Sequence, residues 1–147
     1  MKLVIGADHG GVEMKAELKE RLVKAGHTVA DVGTMDTASV DYPDIAEKLC
    51  KEVLSGGYDR GILICGTGIG MSIAANKIHG IRAALITDTY SAKMASAHNN
   101  ANVVALGART LGIELAWEIL EANLNTAHLG GRHAARVAKI MALEEKQ

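Results

Sequence analysis

Short apolar runs alternate along the chain with longer stretches in which apolar positions recur every three or four residues, the pattern of strands followed by amphipathic helices. "KLVIGA" (2–7) predicts a first strand, and Met14, Leu18, Leu22 and Ala25 predict a helix that Gly26 ends. A weaker strand, "HTVADVG" (27–33), leads to a helix over "DYPDIAEKLCKEVLSGG" (41–57), with Pro43 near its first turn and Gly56 or Gly57 past its end. "RGILIC" (60–65) reads as a buried strand, "IGMSIAANKIHG" (69–80) as a helix, "RAALIT" (82–87) as a fourth strand and "TYSAKMASAHN" (89–99) as a short helix. "NVVALGA" (102–108) predicts a fifth strand, "LGIELAWEILEANL" (111–124) the helix after it, and "GRHAARVAKIMALEEKQ" (131–147) a last helix with no strand to follow.

This alternation predicts one α/β domain over residues 1–147: a three-layer, doubly wound, Rossmann-like fold on a five-stranded parallel sheet, with an extra C-terminal helix. Such folds bind ligands beyond the carboxyl ends of their strands. The residues just after strands are therefore the informative ones: Asp8 and His9, Cys65 to Gly70, Asp88, and Arg109.

Composition narrows the partners. Sixteen Lys and Arg balance seventeen Asp and Glu without a long run of one sign, which argues against nucleic-acid and membrane partners. No apolar run reaches membrane-spanning length, and "MKLVIGADHGG" turns polar too quickly for a signal peptide, so the expected location is cytoplasmic. Cys50 and Cys65 lack C-x-x-C spacing, and the six histidines lack H-x-H or H-E-x-x-H spacing; neither a disulfide framework nor a metal site is signalled. Phe is absent, which leaves the core to Ile, Leu, Val, Ala and Met.

The segment "ICGTGIGMSIAANK" (64–77) sets a cysteine at the mouth of a glycine-rich loop. A dinucleotide fingerprint from Gly66 needs a third glycine where Met71 stands, although Asp88 lies near the place of a ribose-binding acid. A Walker loop needs a Gly-Lys-Ser or Gly-Lys-Thr ending, a phosphatase loop an Arg at Met71, and a nucleophile elbow glycines at Leu63 and Thr67. What remains is a strand-end cysteine whose following glycines bring backbone N–H groups to an anion or a thiolate. The plain alternative is a small buried Cys beside a turn. Asp8 and His9 have a parallel reading as helix cap and exposed His, His98 and Asn99 as a polar loop, and Arg132 and Arg136 as a solvated face opposite Val137 and Ile140. Together the groups offer an anion nest, a thiolate, His and Asp for proton transfer, and arginines for phosphate. That set fits proton transfer beside a carbonyl on a small phosphorylated molecule. A non-enzymatic nucleotide-binding module is the competing class.

"GADHGG", "DYPD", "CGTGIGMSIAANK", "HNNANVVALGAR" and "GGRHAARV", in this order, closely resemble the ribose-5-phosphate isomerase B family, which also contains the galactose-6-phosphate isomerase subunits. The resemblance implies interconversion of ribose 5-phosphate and ribulose 5-phosphate through an enediolate, with no metal and no cofactor. It makes Cys65 the base between C2 and C1 and Thr67 a proton shuttle on the hydroxyl oxygens. The amides of Gly66, Gly68, Ile69 and Gly70 stabilise the enediolate, and His98 with Asp8 opens the furanose ring. His9, Arg132 and Arg136 match phosphate-binding positions, and Tyr42 a position lining the sugar. His98, Asn99 and Arg109 match positions supplied by a second subunit, which implies a homodimer with shared sites. Met71 stands where another branch carries a glutamate base, which places the chain in the cysteine-using branch. A six-carbon sugar phosphate, of the allose 6-phosphate or galactose 6-phosphate type, is the alternative substrate. Cys65, His98, Arg132 and Arg136 on one chain favour a self-sufficient homodimer over a subunit that needs a different partner.

Overall fold

The computed structural model describes residues 1–146, so the final Gln147 of the last predicted helix lies outside the described residues. In chain order the elements are β1 (Lys2–Ala7), α1 (Val12–Lys24), β2 (Thr28–Asp31), α2 (Tyr42–Leu54), β3 (Arg60–Cys65), α3 (Ile69–Ala75), β4 (Ala83–Leu85), α4 (Thr89–Ala97), β5 (Val103–Gly107), α5 (Ile113–Leu124) and α6 (Gly131–Met141). Single 3-10 turns occupy His9–Gly11 and Glu144–Lys146.

The five strands form one parallel sheet in the order β2-β1-β3-β5-β4. Alternate strand residues feed two cores. Leu3, Ile5, Ile62 and Ile64 face α1, α4 and α5, where Leu18, Leu22, Ala92 and Ile119 are fully buried. Val4, Leu63 and Cys65 face α2 and α3, with Leu49, Cys50 and Met71. Both faces of the central strands are covered, which is why these runs are continuously apolar rather than alternating. The third layer and the parallel order agree with the sequence reading.

Three elements are shorter than their periodicity suggests. α3 stops at Ala75 because the Asn76 side chain turns across to β4, its Nδ2 donating to the Ala83 carbonyl at 2.9 Å and its Oδ1 accepting from the Ala83 amide at 2.8 Å. β4 is reduced to Ala83–Leu85 at the sheet edge. α6 ends at Met141, and His133 is its one buried residue. Val137 and Ile140, read as an apolar face opposite the arginines, are half-buried and exposed respectively, so α6 rests little on its own chain.

Glycines allow the loops at the carboxyl edge of the sheet to close on one another. A Cβ on Gly107 would lie 2.3 Å from Thr110 Oγ1 and 2.7 Å from the Thr67 carbonyl. The loop after β3 therefore sits directly on the end of β5. Gly107→Ala is expected to lower unfolding free energy by roughly 1–3 kcal/mol, as overpacking does; denaturant titration checks this, and an unchanged midpoint would contradict the packing described.

Candidate active site

Strand order reverses about β1 and β3, and the crevice outside their carboxyl ends receives the residues that follow both. Asp8, after β1, is buried; its Oδ1 accepts the Gly10 amide at 2.9 Å and so caps the His9–Gly11 turn. His9 is half-buried, and its Nδ1 accepts the Val40 amide at 3.3 Å. A ring that accepts at Nδ1 carries its proton on Nε2, which becomes a donor.

Cys65 ends β3 with 5% exposure. Gly68, at φ 78°, turns its amide back to donate to Cys65 Sγ at 3.1 Å, and α3 starts at the next residue. A non-glycine residue resists that backbone conformation. Ile69 donates its amide to Thr67 Oγ1 at 3.3 Å. Thus two of the expected enediolate donors, Gly68 and Ile69, serve the chain itself, while the amides of Gly66, Thr67 and Gly70 find no acceptor among the described residues. Gly70 lies under the Tyr42 ring, close enough that a Cβ would meet Cζ at 2.6 Å.

Cys50 shows the contrast. It sits in the core without a hydrogen-bond donor, and burial pushes its thiol up to about 12. Met71 is fully buried beside Cys65 in that core, away from the crevice. Asp88 caps α4 by accepting the Ser91 amide at 2.7 Å, a use that accounts for it without a ribose.

Arg109 departs from the expectation that a second subunit supplies it. β5 pairs with β3 in the register Cys65↔Gly107, so residue 109 emerges over the Cys65 loop of its own chain. Its amide donates to the Gly66 carbonyl at 2.8 Å, and a Cβ on Gly66 would lie 3.2 Å from its Nη1. His9, Gly10 and Arg109, with Glu13 and Glu17, line a cavity of about 520 Å³.

The remaining candidates lie elsewhere. α4 leaves the carboxyl edge and returns to the amino edge, where His98 and Asn99 precede β5. A five-residue parallel strand spans roughly 15 Å, which sets the separation from Cys65. Arg132 and Arg136 are exposed on α6, which starts at that same amino edge: the Leu129 amide donates to the Ala97 carbonyl at 3.0 Å. Within one chain the fold therefore brings together Asp8, His9, Tyr42, Cys65, Thr67 and Arg109. It does not bring His98 to Asp8, nor Arg132 and Arg136 to His9, nor His98 to Tyr42.

His133, passed over in the sequence although "GGRHAARV" contains it, stacks on His98 with ring centroids 4.0 Å apart and planes 4° apart. Burial first, then His98 and the Arg132 and Arg136 charges, hold its imidazole below the ordinary 6.5. Among the described residues no three His, Cys, Asp or Glu side chains gather as a metal site, and no helix is long and apolar enough to cross a membrane.

A sequence profile for the family described as Ribose/Galactose Isomerase matches residues 3–140. The ribose-5-phosphate isomerase B of Escherichia coli is 45% identical over 146 residues, covering 99% of this chain and 98% of that protein. A D-erythrulose-4-phosphate isomerase of Pectobacterium atrosepticum is 45% identical over 148 residues, covering 100% of this chain and 97% of its own length. The solved structure of ribose-5-phosphate isomerase B from Clostridium thermocellum superposes with a TM-score of 0.98 at 52% identity, covering 99% of each chain.

Folding favours the neutral His133 ring, so its contribution to stability is complete above about pH 6.5 and is lost as the pH falls beneath that value. Denaturant unfolding at about pH 7.5 and about pH 5.5 is expected to show a smaller acid loss in His133→Gln than in wild type. Equal losses would show that the stacked pair does not sense protons.

Proposed function

From the premise that the chain belongs to the ribose/galactose isomerase family, we propose that it interconverts D-ribose 5-phosphate and D-ribulose 5-phosphate with Cys65 as the base, in sites completed by a second copy of itself. The observation that carries the chemistry is the Gly68 amide on Cys65 Sγ at the point where strand order reverses. A thiolate there removes the C2 proton of the open-chain aldose and returns it to C1. The charge that develops on the enediolate oxygens falls to the unengaged amides of Gly66, Thr67 and Gly70, and a single donor of this kind is worth about 3–4 kcal/mol of barrier. The Thr67 hydroxyl, exposed at the crevice, moves the proton between O1 and O2.

Ring opening and phosphate binding need both edges of the sheet. Asp8 and His9 belong to one edge; His98, Asn99, Arg132 and Arg136 belong to the other. A homodimer that sets the amino edge of one copy against the carboxyl edge of the next supplies all of them. Its apolar contact surface is available: Ile69 and Ile73 on α3, Leu85 on the edge strand, and Ile140 and Leu143 at the chain end are exposed. Arg109, from the same chain as Cys65, adds a phosphate ligand beside His9.

Purified protein with a chelator present is expected to convert ribose 5-phosphate to ketose, and Cys65→Ala to lose roughly 10²–10⁴-fold in kcat. Full activity of Cys65→Ala would end the proposed mechanism. Comparing kcat/KM for four-, five- and six-carbon sugar phosphates decides the substrate, and a preference for allose 6-phosphate, galactose 6-phosphate or erythrulose 4-phosphate would replace ribose 5-phosphate.

Mixing Cys65→Ala with His98→Asn tests the shared site. Random exchange leaves one intact site in each heterodimer, so activity is expected to return to about a quarter of wild type. No recovery after verified exchange would mean that each chain carries a whole site.

A further inference from the structure

We propose that Lys15, remote from the reacting atoms, is a positioning residue for His9: its buried ammonium pins the segment between β2 and α2, and that segment sets the His9 tautomer through the Val40 amide. The proposal deepens the phosphosugar site and rests on that reading for what His9 does with substrate.

Lys15 lies on the core-facing side of α1, one residue after Met14, and is 2% exposed. A charge so placed is costly unless it is paired and its protons are used. All three are: Nζ donates to Asp31 Oδ1 at 2.9 Å, to the Thr34 carbonyl at 2.6 Å and to Met35 Sδ at 3.7 Å. Asp31 is held in turn, its Oδ1 accepting the Gly33 amide at 3.1 Å and its Oδ2 lying 3.5 Å from Lys19 Nζ. The ammonium has no proton left for a ligand, so its effect passes through the backbone it grips.

That backbone is where β2 stops following β1. The Thr34 amide still donates to the Ala7 carbonyl at 3.1 Å, and a Cβ on Gly33 would lie 2.3 Å from the Ala7 nitrogen. From Met35 to Ser39 every residue is exposed. Past Met35, apart from the local Thr34 Oγ1 bond to the Asp36 carbonyl at 3.4 Å, the one hydrogen bond among the described residues that ties 36–40 to the rest of the protein is Val40 N–H to His9 Nδ1, at 3.3 Å. Lys15 thus fixes the start of the segment whose far end holds His9. With Val40 in place, Nδ1 accepts and Nε2–H faces an anion as a donor. Without it, the Nδ1–H tautomer competes, and an Nε2 lone pair meets the phosphate.

The test uses Lys15→Met combined with Asp31→Asn, which removes both charges together and leaves neither buried alone. Nitrogen-15 NMR of the imidazoles, with the His9 signal assigned by its loss in His9→Gln, is expected to show Nδ1 bare and Nε2 protonated in wild type, and averaging between tautomers in the double variant. KM for ribose 5-phosphate and Ki for inorganic phosphate are both expected to rise roughly tenfold, the scale of one hydrogen bond to a charged group, with kcat changing less. Lys19→Met, which leaves Lys15 paired, is expected to match wild type in every readout. An unchanged His9 signal in a folded double variant overturns the proposal. If that variant does not fold, Lys15→Met alone, which leaves Asp31 beside the Lys19 ammonium at 3.5 Å, decides by the same signal: a shift toward averaging supports the proposal and none overturns it. A wild type inactive on every sugar phosphate, with a His9 tautomer that still responds to Lys15, would remove the assigned function and leave the positioning role standing.

Discussion

Parallel strands joined by helices must start at one edge of the sheet and end at the other. Everything about this site follows from that constraint. Residues that follow strands gather at the carboxyl edge, and residues that follow helices gather at the amino edge. Cys65 and His98 fall on opposite edges for this reason: one closes β3, the other closes α4. No side chain spans the length of a strand, so a reaction that needs both residues needs two copies of the chain. The poorly covered α6 begins beside His98 and meets its own chain through the His133 ring, its one buried residue.

Close backbone approach is the second determinant. Gly107 lets the loop after β3 rest on the end of β5, Gly68 turns its amide onto Cys65, and Gly70 admits the Tyr42 ring. The two thiols are thereby set apart by position rather than residue type. Cys50 and Cys65 are both buried and face the same core, yet one lacks a donor and is pushed up to about 12, while the other receives an amide at the carboxyl edge of the sheet.

Much of this was legible in the sequence. The apolar runs at 2–7 and 60–65 and the helical spacing of Met14, Leu18 and Leu22 mark buried strands and a packed helix, because burial on both faces or on one stripe leaves those patterns. The strand-end positions of Asp8, His9, Cys65 and Arg109 pointed to the crevice for the same reason. The ends of α3 and β4 were not legible: the Asn76 amide that joins them is a long-range choice invisible to local periodicity. Lys15 reads as an ordinary surface lysine until Asp31 and Thr34 come round to meet it. His133 reads as one polar residue between arginines until His98 lies flat against it.

The chain by itself determined its class, its strand and helix order, its glycine-rich loop and the family to which it belongs, since these depend on local patterning and on motifs that survive as linear text. Only the tertiary structure decided which of those motifs share an edge, that Arg109 meets the loop of its own chain, and that two donors in the glycine-rich loop are already engaged. The physical reason is that strand register, side-chain reach and hydrogen-bond saturation are properties of residues distant in sequence, set when the sheet closes and not before.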